Sequence, residues 1–306
     1  MNAIVYEEYG PPEVLQLKEV DKPEPKSDEV LIRIHATTVH IGDVRMRKPD
    51  PFLARLVNGL FRPKKIPILG MELAGEVESV GSSVGGFAPG DQVFGFAGFG
   101  FGAYAEYICL PERGTTNKGL VERKPENLTF EEAAVLPGGG MTALSLTQKA
   151  KIQPGQEVLI YGASGSVGAY AIQLAKHEGA RITAVCRGSN FEMVRSLGAD
   201  ETIDYTREDF SEGDKKYNVI LDAVHKLNPG RARKALKTGG VYLDVHKDTD
   251  SDPKAGLKAM QQLKLLAEKG ALKPVIDRRY PLEEIVAAHH YVEQGHKKGN
   301  VVIIVS

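Results

Sequence analysis

The segment Tyr161-Gly-Ala-Ser-Gly-Ser-Val-Gly168 constrains the fold more than any other stretch of the chain. It follows an apolar run, Glu157-Val-Leu-Ile-Tyr161, that reads as a strand. It opens residues 166–178, whose apolar face predicts a helix. Strand, glycine turn and helix in that order form a cradle for a diphosphate. Gly165 lets the backbone approach the diphosphate with no Cβ in the way, and Gly168 permits close packing of helix on strand. The unpaired N–H groups of the first helical turn, with the helix dipole behind them, favour negative charge. The first glycine of the usual pattern is replaced by Ala163, with Gly162 just before it. The residues expected to line the diphosphate are therefore Gly162, Ala163, Gly165, Ser166 and Val167.

Strand and helix alternate on either side of the turn. Strands are expected at 181–186, 201–204, 218–222 and 240–244, with helices at 190–197 and 228–236. This order predicts a parallel, doubly wound α/β sheet. The first ~115 residues have another rhythm, with short β-branched, partly alternating runs such as 30–39 and 72–80, punctuated by glycine and proline. Thr129 is the expected N-cap of a helix carrying Glu131 and Glu132 in its first turn. That helix is expected to be interrupted by Pro137-Gly-Gly-Gly140 before it ends near Lys149. A further helix is expected over 255–269. The tail returns to a strand, a helix over 282–294 and a last strand over 300–305.

The strand after the glycine turn carries the choice of nicotinamide cofactor. A site for NAD uses a carboxylate about 20 residues on, bonded to the ribose 2′-hydroxyl. Here the strand ends Val185-Cys-Arg-Gly-Ser-Asn190, with no acid. Arg187 can pair with a 2′-phosphate, and Ser189 and Asn190 can donate further hydrogen bonds. The expected cofactor is NADPH.

Composition excludes several classes. The net charge of −1 gives no electrostatic case for nucleic acid or an anionic membrane. Two cysteines, 109 and 186, make neither a disulfide framework nor a thiolate metal cluster, so a reducing cytoplasm is expected. No signal peptide and no membrane span is read from the sequence.

Several runs together are similar to the medium-chain dehydrogenase/reductase superfamily, in its zinc-independent quinone-oxidoreductase branch. They are Gly42-Asp43, Ile68-Leu-Gly-Met-Glu-Leu-Ala-Gly-Glu-Val77, Gly90-Asp-Gln-Val-Phe-Gly95, Gly102-Ala-Tyr-Ala-Glu-Tyr107, Leu159–Gly168, Leu197-Gly-Ala-Asp200, Ile203-Asp-Tyr205 and Gly299-Asn-Val-Val302. The resemblance implies a β-rich, GroES-like catalytic domain from residues 1–117 and 271–306, and a Rossmann cofactor domain over 118–270. Where zinc-binding relatives carry Cys, His and Cys, this chain appears as His40, Met71 and Gly138, and the four-cysteine structural loop is missing, so no zinc is expected at either place. The resemblance further implies Thr142, Tyr205 and Asn300 near the cofactor. It places His40 near the nicotinamide, and Asp43 beside it as a loop-fixing residue. The segment after Asp244 is short. Relatives carry another strand and helix there that help pair two subunits, so a monomer or an atypical homodimer is expected.

Without a Lewis acid an ordinary alcohol is a poor hydride donor, whereas a quinone or enone spreads the incoming charge by conjugation. The expected activity is hydride transfer from NADPH to a small-molecule quinone or α,β-unsaturated carbonyl. The alternatives are a metal-free alcohol or carbonyl dehydrogenase of the same superfamily, and a non-catalytic NADPH-binding sensor.

Overall fold

The computed structural model describes residues 1–50, 52, 54–249, 252 and 254–305. Positions 250, 251 and 253 of the short segment after Asp244 lie outside the described residues. In chain order the strands are β1 (Asn2–Val5), β2 (Gln16–Glu19), β3 (Glu29–Thr38), β4 (Glu72–Val80), β5 (Gln92–Phe96), β6 (Tyr107–Pro111), β7 (Leu120–Arg123), β8 (Glu157–Tyr161), β9 (Arg181–Cys186), β10 (Glu201–Asp204), β11 (Tyr217–Asp222), β12 (Leu236–Asp244), β13 (Ile276–Pro281) and β14 (Asn300–Ile304). The helices are α1 (Ile41–Arg47), α2 (Ala54–Asn58), α3 (Phe130–Ala134), α4 (Pro137–Ala150), α5 (Ser166–His177), α6 (Phe191–Ser196), α7 (Pro229–Ala235), α8 (Ala255–Glu268) and α9 (Ile285–Glu293). The chain divides into two compact units. One comprises Met1–Gly138, Asp252–Leu265 and Ile276–Ser306; the other comprises Gly139–Ser251 and Leu266–Val275.

The first unit is built on a largely antiparallel seven-stranded sheet with the order β13-β14-β3-β4-β5-β7, with β6 also paired to β3. In β3, Val30, Ile32 and Ile34 point to one side, and all three are fully buried with Leu73, Val77 and Val93. That period of two is what a strand with one face on a core requires. Each such side chain stabilises the unit by about 1.5–3 kcal/mol. The last strand returns to this sheet between β13 and β3: Val302 pairs with Thr38 and the Val39 N–H donates to Val301 O. Chain regions far apart in sequence thus meet at the carboxyl end of β3, where α1 begins.

The second unit holds a five-stranded sheet, order β10-β9-β8-β11-β12, in which every pair is parallel. The order reverses at β8, so the loops after β8, β9 and β11 converge where such sheets bind ligands. Among the described residues the sheet ends at β12.

Two details depart from the sequence expectation. The glycine run does not interrupt a helix. Pro137 opens α4, which contains the three glycines, and the break lies at Val135 and Leu136. Proline is pre-set for the first helical position, where its missing N–H is not needed. The run Tyr104-Ala-Glu-Tyr-Ile-Cys109 reads as a strand in the sequence, but the strand starts only at Tyr107, because the Ile4 N–H donates to Tyr104 O in a separate contact with the amino-terminal strand.

Candidate active site

In the second unit the turn after β8 has the shape a diphosphate needs. Gly162 has φ +77°, a conformation glycine reaches without strain, and the Gly162 and Ala163 N–H groups both donate to Val185 O. A Cβ on Gly168 would collide with Gly162 O and lie 2.7 Å from Ala163 Cα, so this glycine lets α5 sit on the turn. A Cβ on Gly165 would meet only Gly162 O, at 3.5 Å, so nothing in the unit itself demands glycine there. Gly165 is the N-cap of α5 and makes no side-chain cap. Ser166 and Val167 follow in the first turn, whose N–H groups have no carbonyl within the helix. Ser166 Oγ is buried without a hydrogen-bond partner among the described residues. A buried orphan hydroxyl is costly unless a ligand completes it. Ser166 also touches α4, since a Cβ on Gly139 would collide with its Oγ. Thr142 lies one turn further along the same face of α4.

The next two strand ends carry the remaining candidates. Arg187 is exposed, and its Nε donates to Tyr205 Oη at 3.0 Å. Ser189 is exposed, whereas Asn190 is buried and bonds Ser164 Oγ with its Nδ2 at 3.0 Å, so Asn190 holds the glycine turn rather than facing outward. One acid was hidden from a reading of the β9 strand alone. Asp204, at the end of β10, is registered beside Cys186. Its oxygens accept from the Gly188 N–H and from the Thr206 N–H and hydroxyl, which hold its carboxyl below the usual range.

In the first unit, His40 caps α1 and Asp43 sits three residues on. The Gly42 N–H donates to His40 Nδ1 at 3.0 Å, and the His40 N–H donates to Asp43 Oδ2 at 2.9 Å. An accepting Nδ1 leaves the ring proton of neutral His40 on Nε2. Desolvation, with Lys297 and Arg45 nearby, pushes the ring down to about 4. Asp43 is fully buried, also accepts from the Gly70 N–H at 2.8 Å, and is pushed up to about 7 by burial. Glu72 is buried beside these groups. It accepts from the Gly138 N–H at 2.6 Å and from the Thr38 hydroxyl, and burial raises it to about 7. Burial lowers Lys297 to about 8, with Glu72 and Asp277 opposing that shift. Asn300 opens β14 and is buried; continuing the pairing of Val302 with Thr38 places it opposite His40.

The chain matches the family description "Alcohol dehydrogenase GroES-like domain" over residues 26–119, and "Zinc-binding dehydrogenase" over 166–268 and again over 251–303. It is 35% identical to a 2-methylene-furan-3-one reductase of Solanum lycopersicum, covering 99% of this chain and 79% of that protein. The chain belongs to the medium-chain dehydrogenase/reductase superfamily. A chloroplastic NADPH-dependent alkenal/one oxidoreductase of Arabidopsis thaliana is 31% identical over 99% of this chain and 79% of its own length. The solved quinone oxidoreductase from Coxiella burnetii superposes with a TM-score of 0.88 at 31% identity, covering 100% of this chain and 99% of that one. The GroES-like plus Rossmann architecture is thus that of the family.

The description "zinc-binding" calls for a test of the donor set. The three positions that match the ligands of zinc-binding relatives do come together. A Cβ on Gly42 would lie 2.5 Å from Met71 Sδ and 3.1 Å from His40 Nδ1; one on Gly138 would lie 2.6 Å from Glu72 Oε1 and 3.2 Å from His40 Nε2. A catalytic zinc needs three ligands from Cys, His and carboxylate. Here Nδ1 and both Glu72 oxygens already accept protein hydrogen bonds, Met71 is a thioether and Gly138 has no side chain. This set does not fit zinc. The turn at 162–168, with its orphan hydroxyl and open Gly165, does fit a dinucleotide.

Sequence reasoning did not single out Glu72, Lys297, Thr38 or Tyr104 as site residues. Their importance comes from burial, and no local pattern signals it. Of the four phenylalanines at 94, 96, 99 and 101, Phe94, Phe96 and Phe101 are buried packing residues and Phe99 is exposed.

The buried groups make a pH prediction. Between about pH 4 and 6.5 the folded chain keeps protons on Asp43 and Glu72 that the unfolded chain has released, so these two make stability fall as pH rises. His40 and His289, which burial lowers to about 4 and about 3, are neutral when folded and protonated when unfolded, so they make stability rise with pH in that window. The slopes oppose each other. Glu72→Gln removes one falling contribution. Its stability should therefore climb with pH more steeply than that of the native protein, by about 1 kcal/mol per pH unit. Urea midpoints at pH 4.5, 5.5 and 6.5 check this; parallel curves for the two proteins would rule it out.

Proposed function

We propose that this chain is an NADPH-dependent, zinc-independent oxidoreductase that reduces a quinone or an α,β-unsaturated carbonyl. The observation that carries the reading is the diphosphate cradle of the second unit, open at Gly165 and carrying the unsatisfied Ser166 hydroxyl; in the first unit the His40–Met71–Glu72 set is unsuited to zinc. Similarity to enone and quinone reductases supports the substrate class.

When bound, NADPH supplies the hydride. The N–H groups of Ser166 and Val167 and the Ser166 hydroxyl hold the diphosphate, with Gly162, Ala163 and Gly165 shaping the turn. Arg187, braced by Tyr205, pairs with the 2′-phosphate; Ser189 adds a hydroxyl, and Asn190 fixes the loop through Ser164. Thr142 and Asn300 are the residues that would hold the nicotinamide end. His40, neutral and bearing its proton on Nε2, donates a hydrogen bond to the acceptor oxygen or the ribose. Asp43 positions it through the α1 cap. We assign catalysis to residues 1–117 and 271–306 and cofactor binding to 118–270.

The two free thiols suit a reducing cytoplasm, although relatives include chloroplastic forms. No described helix is long and apolar enough to cross a membrane. We place the protein away from membranes and nucleic acid. The sheet ending at β12 supports a monomer or an atypical homodimer.

The test is NADPH oxidation against a panel of quinones, enones, aldehydes and alcohols, with and without a zinc chelator. Quinone or enone turnover that survives the chelator is the expected outcome. Turnover only with alcohols and added zinc would overturn the reading. Arg187→Ala, which removes an exposed charge, should reduce the preference for NADPH over NADH about 10-fold. Unchanged ratios of kcat/KM would remove Arg187 from the phosphate site.

A further inference from the structure

The loops after β11 and β12 bring a histidine and a buried carboxylate together beside the glycine turn. Val224 packs on that turn, where a Cβ on Gly162 would lie 2.6 Å from Val224 Cγ1. The next residue, His225, is held at φ +55°, a left-handed conformation that is strained for a non-glycine residue. Its Nδ1 lies 2.6 and 2.8 Å from the two oxygens of Asp244. Asp244 is buried, and also accepts from the His246 N–H at 2.9 Å and from Tyr242 Oη at 3.3 Å. The His225 and His246 rings lie 4.5 Å apart, tilted at 32°. Asp222 accepts from the Val224 and Leu227 N–H groups, and Asp248 accepts from the Asp244 N–H while pairing with Lys149, so both are engaged by the protein. The His225 side chain is 41% exposed.

A carboxylate on Nδ1 fixes the ring orientation and tautomer and leaves Nε2 as the ring nitrogen not held by Asp244. In the strand order β10-β9-β8-β11-β12, Arg187 and Tyr205 lie on the β9–β10 side of the turn. A dinucleotide crossing the switch point at β8 has its other half over the carboxyl ends of β11 and β12. Asp244 ends β12, and His225 lies three residues beyond the end of β11.

We propose that His225, oriented by Asp244, is the proton donor to the reduced acceptor. This rests on the enone-reductase reading above. Hydride addition at the β-carbon of an enone leaves an enolate. The His225 imidazolium gives its Nε2 proton to the α-carbon, a C–H bond forms, and the enolate electron pair is consumed. The ring is left neutral, its Nδ1–H still donating to the Asp244 carboxylate, and a solvent proton is returned to Nε2. The sum is one hydride and one proton added across C=C. A quinone does not need this help, since its reduced oxygen takes a proton from water.

The experiment compares the native protein with His225→Gly, His225→Gln and Asp244→Asn. Glycine suits φ +55°, so the first variant should fold at least as well as the native protein. The expected result is an enone kcat reduced about 100- to 1,000-fold, as for loss of a general acid, with quinone kcat and the NADPH Kd changed less than about 3-fold. Added imidazole should restore enone turnover to His225→Gly. Nitrogen-15 NMR of the protein without cofactor should show the His225 proton on Nδ1, and Asp244→Asn should lose that preference. Parallel loss on both acceptors with weaker NADPH binding would overturn the proposal in favour of cofactor positioning. No loss on enone, or a native neutral ring protonated on Nε2, would also overturn it. A native protein that reduces neither acceptor would refute the proposed function, and the NMR result would still decide the state of the His225–Asp244 pair.

Discussion

Gly165→Val is expected to weaken NADPH binding about 100-fold or more and to leave the fold standing. The two effects separate because of what surrounds this Cβ. Inside the protein it meets only Gly162 O, at an ordinary 3.5 Å, and Gly165 has φ −81° and ψ 178°, which valine adopts freely. The outward side is where the diphosphate comes closest to the backbone, and a branched side chain there keeps it off. A 100-fold loss is about 2.7 kcal/mol. Stability should fall only by about 1 kcal/mol, because valine is a poorer N-cap than glycine. Gly168→Ala should do the reverse. Its new methyl collides with Gly162 O and presses on Ala163 Cα at 2.7 Å, so the cost falls on folding, at about 3 kcal/mol. Fluorescence titration with NADPH and urea unfolding, run on both variants, check the pair. Native-like NADPH affinity in Gly165→Val would remove this turn from the cofactor site.

Arg47→Met should destabilise the chain by about 3–5 kcal/mol, the range for stranding the partners of a buried charge. Arg47 is fully buried in the first unit. Its guanidinium donates to Gly10 O, to the Glu293 carboxylate and, at 3.4 Å, to His289 Nδ1. Burial lowers it to about 10, so it remains charged at neutral pH. Methionine fills the stem volume and supplies none of the donors. Glu293 keeps Lys48 at 2.5 Å, which softens its share of the loss and favours the lower half of the range. The Gly10 carbonyl and His289 keep no such substitute. His289 in turn lies 3.1 Å from Tyr104 Oη, and Tyr104 bonds Asp43, so the disturbance also reaches the α1 cap that positions His40. Urea unfolding measures the cost. A loss below about 1 kcal/mol would show that the network contributes little.

Asp204 and His225 show where reading along the chain stops. The β9 strand end has no acid in its own sequence, yet the parallel register lays Asp204 of β10 against Gly188. His225 carries no ligand spacing in the sequence. Its partner Asp244 is 19 residues away, at the end of the neighbouring strand, and only sheet pairing joins them. The glycine run at 138–140 misled in the other direction. Low intrinsic helix propensity suggested a break, but Pro137 starts a helix that Gly138 and Gly139 let pack against Glu72 and Ser166.

Local pattern alone determined the alternation of strands and helices, the glycine turn at 162–168 and the N-cap at Thr129. These depend on residues adjacent in sequence or on motifs of fixed spacing. Tertiary structure alone decided which charges are buried and what they touch: Glu72 against Gly138, Asp43 under Gly70, Arg47 between Gly10 and Glu293, and His225 on Asp244. Desolvation and hydrogen bonding depend on distance in space. The strands that set those distances pair residues far apart in the chain, Asp222 with Asp244 and Ala36 with Ile304 among them, a separation that no periodicity in the sequence records.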